Sequence, residues 1–311
     1  YEPDLARVAG TIYAIAYRGA DADGFVKTVN ISNTGVIADT IIDDLEYDTS
    51  DGYAPSILNT SNKFFVIAYR GGGGDGFVTT VNISNDGNIA DSIIHDTLEF
   101  DTSNCGNPDI LNISPTMYAI AYEGNENDGH VATVNIFANG TVNKTVVDNL
   151  EYDNSNGEDP DMIHVSGSIY AVASEDTGND GFVNTINITS DGAIANSVID
   201  TIEFDASQGE TITIVNVTSN IFAVAYEGPG SDGFVKTINI SSVGVIENSV
   251  IDTIEFDTAT ALWPYIFYLG GNNYSVAYES VYDDGEFVTI EIAADGQITD
   301  AALDSAGYDA G

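Results

Sequence analysis

The sequence predicts an all-β fold, a six-bladed β-propeller with four antiparallel strands per blade, on three observations. Asp-Gly recurs at Asp23-Gly24, Asp75-Gly76, Asp128-Gly129, Asp180-Gly181, Asp232-Gly233 and Asp284-Gly285, a period of 52 or 53 residues. An aromatic-Asp pair keeps step with it at Tyr47-Asp48, Phe100-Asp101, Tyr152-Asp153, Phe204-Asp205, Phe256-Asp257 and Tyr308-Asp309. No segment has a helical period, and turn formers break each unit into four short strand-like runs. Repeats of this length with four strands each are propeller blades; an immunoglobulin-like module needs about 100 residues.

The second repeat shows the elements in order. "PSILNTS" is strand a, "KFFVIAYRG" strand b, "DGFVTTVNIS" strand c and "NIADSIIHDTLEFD" strand d. In strand b of the first repeat, Tyr13, Ile15 and Tyr17 point one way and Ile12, Ala14 and Ala16 the other. One bulky and one small apolar face suit a sheet held between two neighbours. The blades are read as 1–52, 53–105, 106–157, 158–209, 210–261 and 262–311 of one domain. Tyr1 aligns with Tyr53 and Asp309 with Asp257, which is read either as six whole blades closing without a shared one or as ends that belong to a longer protein or pair with another chain. A first residue other than Met is read as the mark of a processed or trimmed chain.

Composition narrows the function classes. The chain carries 49 Asp plus Glu against seven Lys plus Arg, a formal charge of -42, yet 43% of its residues are hydrophobic. There is material for a core, so this is no disordered acidic tail. Nucleic-acid phosphates and anionic membrane surfaces are both excluded as partners by the shortage of cations. No apolar run has the length of a membrane helix. The single Cys105 allows no internal disulfide, and zinc-type Cys/His spacings are missing.

In a four-stranded meander the b–c and d–a loops share one rim. Those loops, such as "RGADADGF" and "YDTSDGYAPS", are acidic and Gly-rich. The opening loop places Asp21 and Asp23 in a D-x-D-G order, and Asp48 and Asp51 of the adjacent loop complete a hypothetical calcium set. The competing reading is a turn, because Asp and Gly tolerate the positive φ of tight hairpins. The other rim carries ten N-x-S/T sequons, at Asn30, Asn59, Asn82, Asn112, Asn139, Asn143, Asn187, Asn216, Asn239 and Asn273. They are candidate acceptors for N-linked glycans in an extracellular protein, or else strand-closing sequences copied by repetition.

A propeller active site is expected where repeats differ. His95, His130 and His164 are read as structural, none having a second ligand nearby in register. His130 replaces the Phe of D-G-F. Cys105, in a d–a loop, is a candidate exposed thiol without a catalytic partner. In the sixth repeat, Trp263 and Tyr265 are a candidate aromatic sugar platform, or a bulky plug at the ring junction.

The six-fold "YAIAY…DGFV-T-NIS…G-I…ID-LEFD" blade resembles those of repeat-built propellers from prokaryotic, archaeal-type cell-surface and extracellular proteins. It lacks the WD dipeptide, the kelch double Gly and the sialidase box, so the resemblance names no enzyme family. It implies an extracellular or cell-surface location. The leading expectation is a non-enzymatic structural or adhesive component of a surface layer or filament, N-glycosylated on one rim and acidic on the other. Its partners would be other surface proteins, copies of itself or carbohydrate. The alternatives are a calcium-dependent hydrolase, phytase-like or lactonase-like, with Asp4, Asp109 and Asp161 holding metal, and a lectin. Against a phosphate substrate, only Arg7 is expected near that region.

Overall fold

The computed structural model describes residues 3–60, 63–90, 93–281 and 284–308; Tyr1 and Asp309, invoked above for ring closure, lie outside them. It is an all-β six-bladed propeller, each blade a four-stranded antiparallel meander in sequence order. Blade one is β1 (Asp4–Ala9), β2 (Ile12–Arg18), β3 (Gly24–Asn30) and β4 (Asp43–Asp48). Blade two is β5 (Tyr53–Asn59), β6 (Phe64–Arg70), β7 (Gly76–Asn82) and β8 (Asp96–Asp101). Blade three is β9 (Gly106–Ser114), β10 (Met117–Glu123), β11 (Gly129–Asn135) and β12 (Asp148–Asp153). Blade four is β13 (Glu158–Ser166), β14 (Ile169–Asp176), β15 (Asp180–Asn187) and β16 (Asp200–Asp205). Blade five is β17 (Glu210–Asn216), β18 (Ile221–Glu227), β19 (Gly233–Asn239) and β20 (Asp252–Asp257). Blade six is β21 (Leu262–Gly270), β22 (Asn273–Glu279), β23 (Gly285–Glu291) and β24 (Asp304–Gly307).

The chain divides into two compact units, Tyr1–Glu151 with Thr189–Ile194, and Tyr152–Ile188 with Ala195–Gly311. The same packing rule operates inside each. In the first, Ala14 and Ala16 of β2 meet Phe65, Ile67 and Tyr69 of β6, and Val66 and Ala68 meet Tyr118, Ile120 and Tyr122. In the second, Ala171 and Ala173 meet Phe222, Val224 and Tyr226, and Ala223 and Ala225 meet Tyr274, Val276 and Tyr278. The small face of one blade thus receives the bulky face of the next, so that large and small side chains interdigitate.

Polar latches repeat with the core. Thr28, Thr80, Thr185 and Thr237 of the c strands donate to the carbonyls of Gly87, Gly140, Gly244 and Gly296 in the following blade, each at 2.6 Å and buried. In blades one to five the first Asp of the d strand accepts the backbone N–H of a following-blade residue, as Asp43 does from Ile89 and Asp200 from Ile246. Asp4 and Asp161 do the same on the a strands, accepting from Ile57 and Ile214 at 2.7 Å. These two carboxylates therefore join neighbouring blades.

Strand d is shorter than the sequence suggests. In blade two Ile83 bridges Ile89 and Gly87 N donates to Ser84 O, a turn that precedes the strand. Among the described residues, the strand itself is "DTLEFD".

Candidate active site

The Asp-Gly motif is a turn, but for a different reason from hairpin φ values. Asp75, Asp128 and Asp232 are extended, with φ -78°, -63° and -73°. Left-handed backbone falls on the residues just before them, such as Ala22 (φ 73°), Asn127 (φ 67°) and Ser231 (φ 65°). The Gly is needed for space. A Cβ on Gly24 would lie 2.3 Å from the Tyr47 ring, and one on Gly233 would lie 2.4 Å from the Phe256 ring. The aromatic of strand d is seated on this glycine, which is why the two motifs recur together.

The hypothetical calcium residues serve these loops. Asp48 Oδ1 accepts from Ser50 N, Ser50 Oγ and Asp51 N, an Asx-turn, while Oδ2 accepts from Tyr69 Oη at 3.1 Å. Asp51 pairs with Arg18 Nε at 3.5 Å. Asp21 and Asp23 lie in the b–c loop, where Asp23 O accepts from Gly19 N.

The chemistry that differs between repeats gathers at the end of strand b. A bulge at the start of strand a recurs, its left-handed residue being Ala54, Asn107, Asp159, Thr211 or Trp263. It sets the first residue of strand a opposite the last of strand b: Tyr53 with Arg70, Gly106 with Glu123, Glu158 with Glu175, Glu210 with Glu227, and Leu262 with Glu279. In blades one and two this gives a cationic end. The Arg18 and Arg70 guanidiniums lie 5.2 and 5.5 Å from the centroid of the Tyr53 ring. Arg7, by contrast, is bound to Gly10 O at the a–b turn, away from these loops. The expectation that Arg7 is the only cation near the loop chemistry is corrected accordingly.

In the second unit the same position is acidic. Glu175 and Glu227 are 8% and 7% exposed. Burial first, then the charges of Glu158, Glu210, Asp159 and Glu227, push the Glu175 carboxyl up to about 8. Burial also raises Glu227, Glu210 adding to it. Glu210 accepts a hydrogen bond from Asn179 Nδ2. The sole Lys or Arg of this unit is Lys236, and it is tied to Asp205 Oδ2 and Phe204 O. Beside Glu175, Ser174 replaces the tyrosine that in blades two, three, five and six bonds the strand-d Asp, as Tyr226 does with Asp205 at 2.7 Å. The Ser174 hydroxyl is buried without a hydrogen-bond partner.

Sequence reading missed this site, although its signal was present: the last residue of strand b runs Arg, Arg, Glu, Glu, Glu, Glu along the repeats. Cys105 is corrected from an exposed to a fully buried thiol, its pKa pushed well up by burial. It packs beside Gly76 together with the Phe100 ring, a Cβ on that glycine falling 2.7 Å from the ring and 3.1 Å from the Cβ of Cys105. His95 packs on Phe64, and His164 Nε2 meets Gly167 O at 3.1 Å. His130 has two carboxylates close by, one oxygen each of Asp128 and Glu151 lying within 4.8 Å of a ring nitrogen, so the reading that it has no other candidate ligand near it is corrected.

Trp263 and Tyr265 are 63% and 60% exposed on β21. None of the ten sequon asparagines is buried; Asn59 donates to Arg7 O, Asn112 to Ser114 O and Asn216 to Thr218 O. A cavity of about 1030 Å³ in the first unit, lined by Leu58, Lys63, Phe65, Asn112 and Tyr118 among others, holds no carboxylate or imidazole. Among the described residues no helix is long and apolar enough to cross a membrane.

No protein-family model and no curated protein matches the sequence. Solved structures do match the fold. A candidate 6-phosphogluconolactonase from Bacteroides fragilis aligns over 98% of this chain and 84% of its own, at 15% identity and a TM-score of 0.72. A candidate 6-phosphogluconolactonase from Bacteroides uniformis aligns over 96% and 85%, at 11% identity and 0.66. The Pseudomonas aeruginosa periplasmic gluconolactonase PpgL aligns over 94% and 96%, at 12% identity and 0.52. These likenesses overturn the non-enzymatic reading, because the neighbours bear lactonase names. The inference from regular blades to a passive scaffold fails for a physical reason: the regularity belongs to cores and latches, and the strand-b ends are free to differ.

Proposed function

We propose that the protein is a lactonase-type hydrolase. The reading rests on one observation, a buried Glu175 set among carboxylates with no cation of its unit free to neutralise it. Such a cluster costs stability and is characteristic of acid–base sites. A Glu that keeps its proton near neutrality is a general acid, and a nearby ionised carboxylate is its base. In this scheme Glu210, oriented by Asn179, takes a proton from water. The oxygen adds to the lactone carbonyl carbon, the ring C–O bond breaks, and Glu175 protonates the leaving ring oxygen. The product is the open hydroxy acid. The likeness to gluconolactonase and 6-phosphogluconolactonase structures supports a sugar lactone as substrate.

The test is hydrolysis of gluconolactone and of 6-phosphogluconolactone, followed at constant pH against the spontaneous rate. Glu175→Gln keeps the shape of the protonated acid but cannot give up the proton, so the enzymatic rate is expected to fall roughly 10²- to 10⁴-fold. Wild-type rates no faster than water on both lactones, or an unimpaired variant, would overturn the proposal. We also place the protein outside the cytoplasm, a reading supported by the unburied sequons and the periplasmic neighbour. Intact-mass measurement of the native protein tests it: unmodified asparagines throughout would remove the support the sequons give.

A further inference from the structure

Among the described residues, one repeat carries a metal-ligand set that combines a histidine with two acids. Every blade has the Asp of Asp-Gly, and blades one to five have a Glu on strand d, Glu46, Glu99, Glu151, Glu203 and Glu255. Between them strand c presents Phe25, Phe77, Phe182 or Phe234; Phe234, for example, pairs with Glu255 in register. In blade five desolvation first, then the neighbouring Asp232, raises the Glu255 carboxyl, so the scaffold itself brings two acids close enough to interact. Blade three keeps both acids and exchanges the phenyl ring for the imidazole of His130.

The imidazole occupies the ring position of the phenylalanines. His130 stacks on Tyr122 at 5.4 Å and 22°, as Phe234 stacks on Tyr226 at 5.7 Å and 21°. A Cβ on Gly124 would meet the imidazole at 2.3 Å, and one on Gly228 would meet the phenyl at 2.4 Å. The substitution therefore changes the chemistry without moving the ring. One ligand atom from each of Asp128, His130 and Glu151 lies within 4.8 Å of the others. Ligand bonds of about 2.0–2.2 Å to a common ion require only a small inward adjustment.

A second feature orients the ring. His130 Nδ1 lies 3.2 Å from Asn149 Oδ1, and Asn149 Nδ2 donates to Tyr122 Oη at 3.0 Å, which donates in turn to Asp101 Oδ2 at 2.9 Å. With its amide nitrogen committed to the tyrosine, Asn149 offers its oxygen to the imidazole. That fixes the proton on Nδ1 and leaves the Nε2 lone pair free to ligate, the outer-shell arrangement of metal-binding histidines. Asn149 is itself specific to this blade, the corresponding residues being Asp44, Thr97, Thr201, Thr253 and Ser305.

We propose that Asp128, His130 and Glu151 bind one divalent transition-metal ion of the Zn²⁺ class, with Asn149 orienting the histidine. An imidazole with two carboxylates suits Zn²⁺ better than Ca²⁺, which takes six to eight oxygens. Three protein ligands leave a fourth position for water or an external ligand. The site is separate from the acid–base cluster proposed above and stands or falls without it.

The test is titration of the full chain with Zn²⁺ in buffer holding excess Ca²⁺, which saturates non-specific sites on so acidic a surface. One Zn²⁺ per chain is expected, with the His130 Nε2 resonance shifted in nitrogen NMR. His130→Phe restores the residue of four other blades; it should lower affinity at least 100-fold and leave the metal-free melting temperature unchanged. Asn149→Thr should weaken binding roughly 10- to 100-fold. Glu151→Gln provides a further variant should His130→Phe fold poorly. Zn²⁺ binding that survives both His130→Phe and Glu151→Gln, or the absence of a single saturable site under these conditions, would overturn the proposal.

Discussion

The ends of strand b in blades one and two, and in blades four and five, occupy equivalent positions and carry opposite chemistry. Arg18 and Arg70 lie over the Tyr53 ring, where the face of the π-system attracts their guanidiniums. Glu175 and Glu227 are buried, and Glu175 faces Glu158 across the ladder. Blades two, four and five share the bulge that sets these pairs. The repeat thus fixes where a side chain stands, and its neighbours decide whether it is a permanent cation or a titratable acid.

The largest expected break in this comparison is the loss of hydrolysis in Glu175→Gln described above. Next is Tyr53→Ala, which removes the ring beneath both guanidiniums; urea unfolding should show a loss of roughly 1–3 kcal/mol. A third effect concerns pH. Glu175 rises from an ordinary value of 4.5 to about 8 in the folded protein. The folded state therefore holds this proton more tightly than the unfolded chain. The contribution to stability is complete below pH 4.5 and is lost as pH rises through about 8. Melting temperature followed from pH 5 to 8.5 should fall more steeply for the wild type than for Glu175→Gln, and Arg70→Gln should leave the slope as it is. The smallest effect is that of Arg70→Lys, which keeps the charge but gives up the planar stacking; we expect a loss below about 1 kcal/mol in the same urea experiment.

Much of the fold was legible because the repeat displays its own rules. The alternation of Tyr13, Ile15 and Tyr17 with Ala14 and Ala16 already described the bulky-on-small packing between neighbouring blades. The Asp-Gly and aromatic-Asp motifs were legible as markers but not as partners. That the ring of Tyr47 sits where a Cβ on Gly24 would be is a contact between residues more than twenty positions apart. The site was harder to see. Glu175 reads as one more surface acid in a chain with 49 acidic residues, and only its burial and its neighbours across the ladder set it apart. His130 reads as a lone histidine until the c–d pairing brings Glu151 beside it.

By itself the sequence determined the fold class, the blade period, the strand order within a blade, and which face of strand b is bulky, because these follow from local periodicity and turn chemistry repeated six times. Tertiary structure alone decided that Asp4 and Asp161 latch blades, that Cys105 is buried, and that Glu175 retains its proton toward neutrality. It also decided that Asp128, His130 and Glu151 converge. The physical reason is the same in each case: desolvation and charge coupling act over a few ångströms of space, and those distances exist only once distant segments of the chain have been packed together.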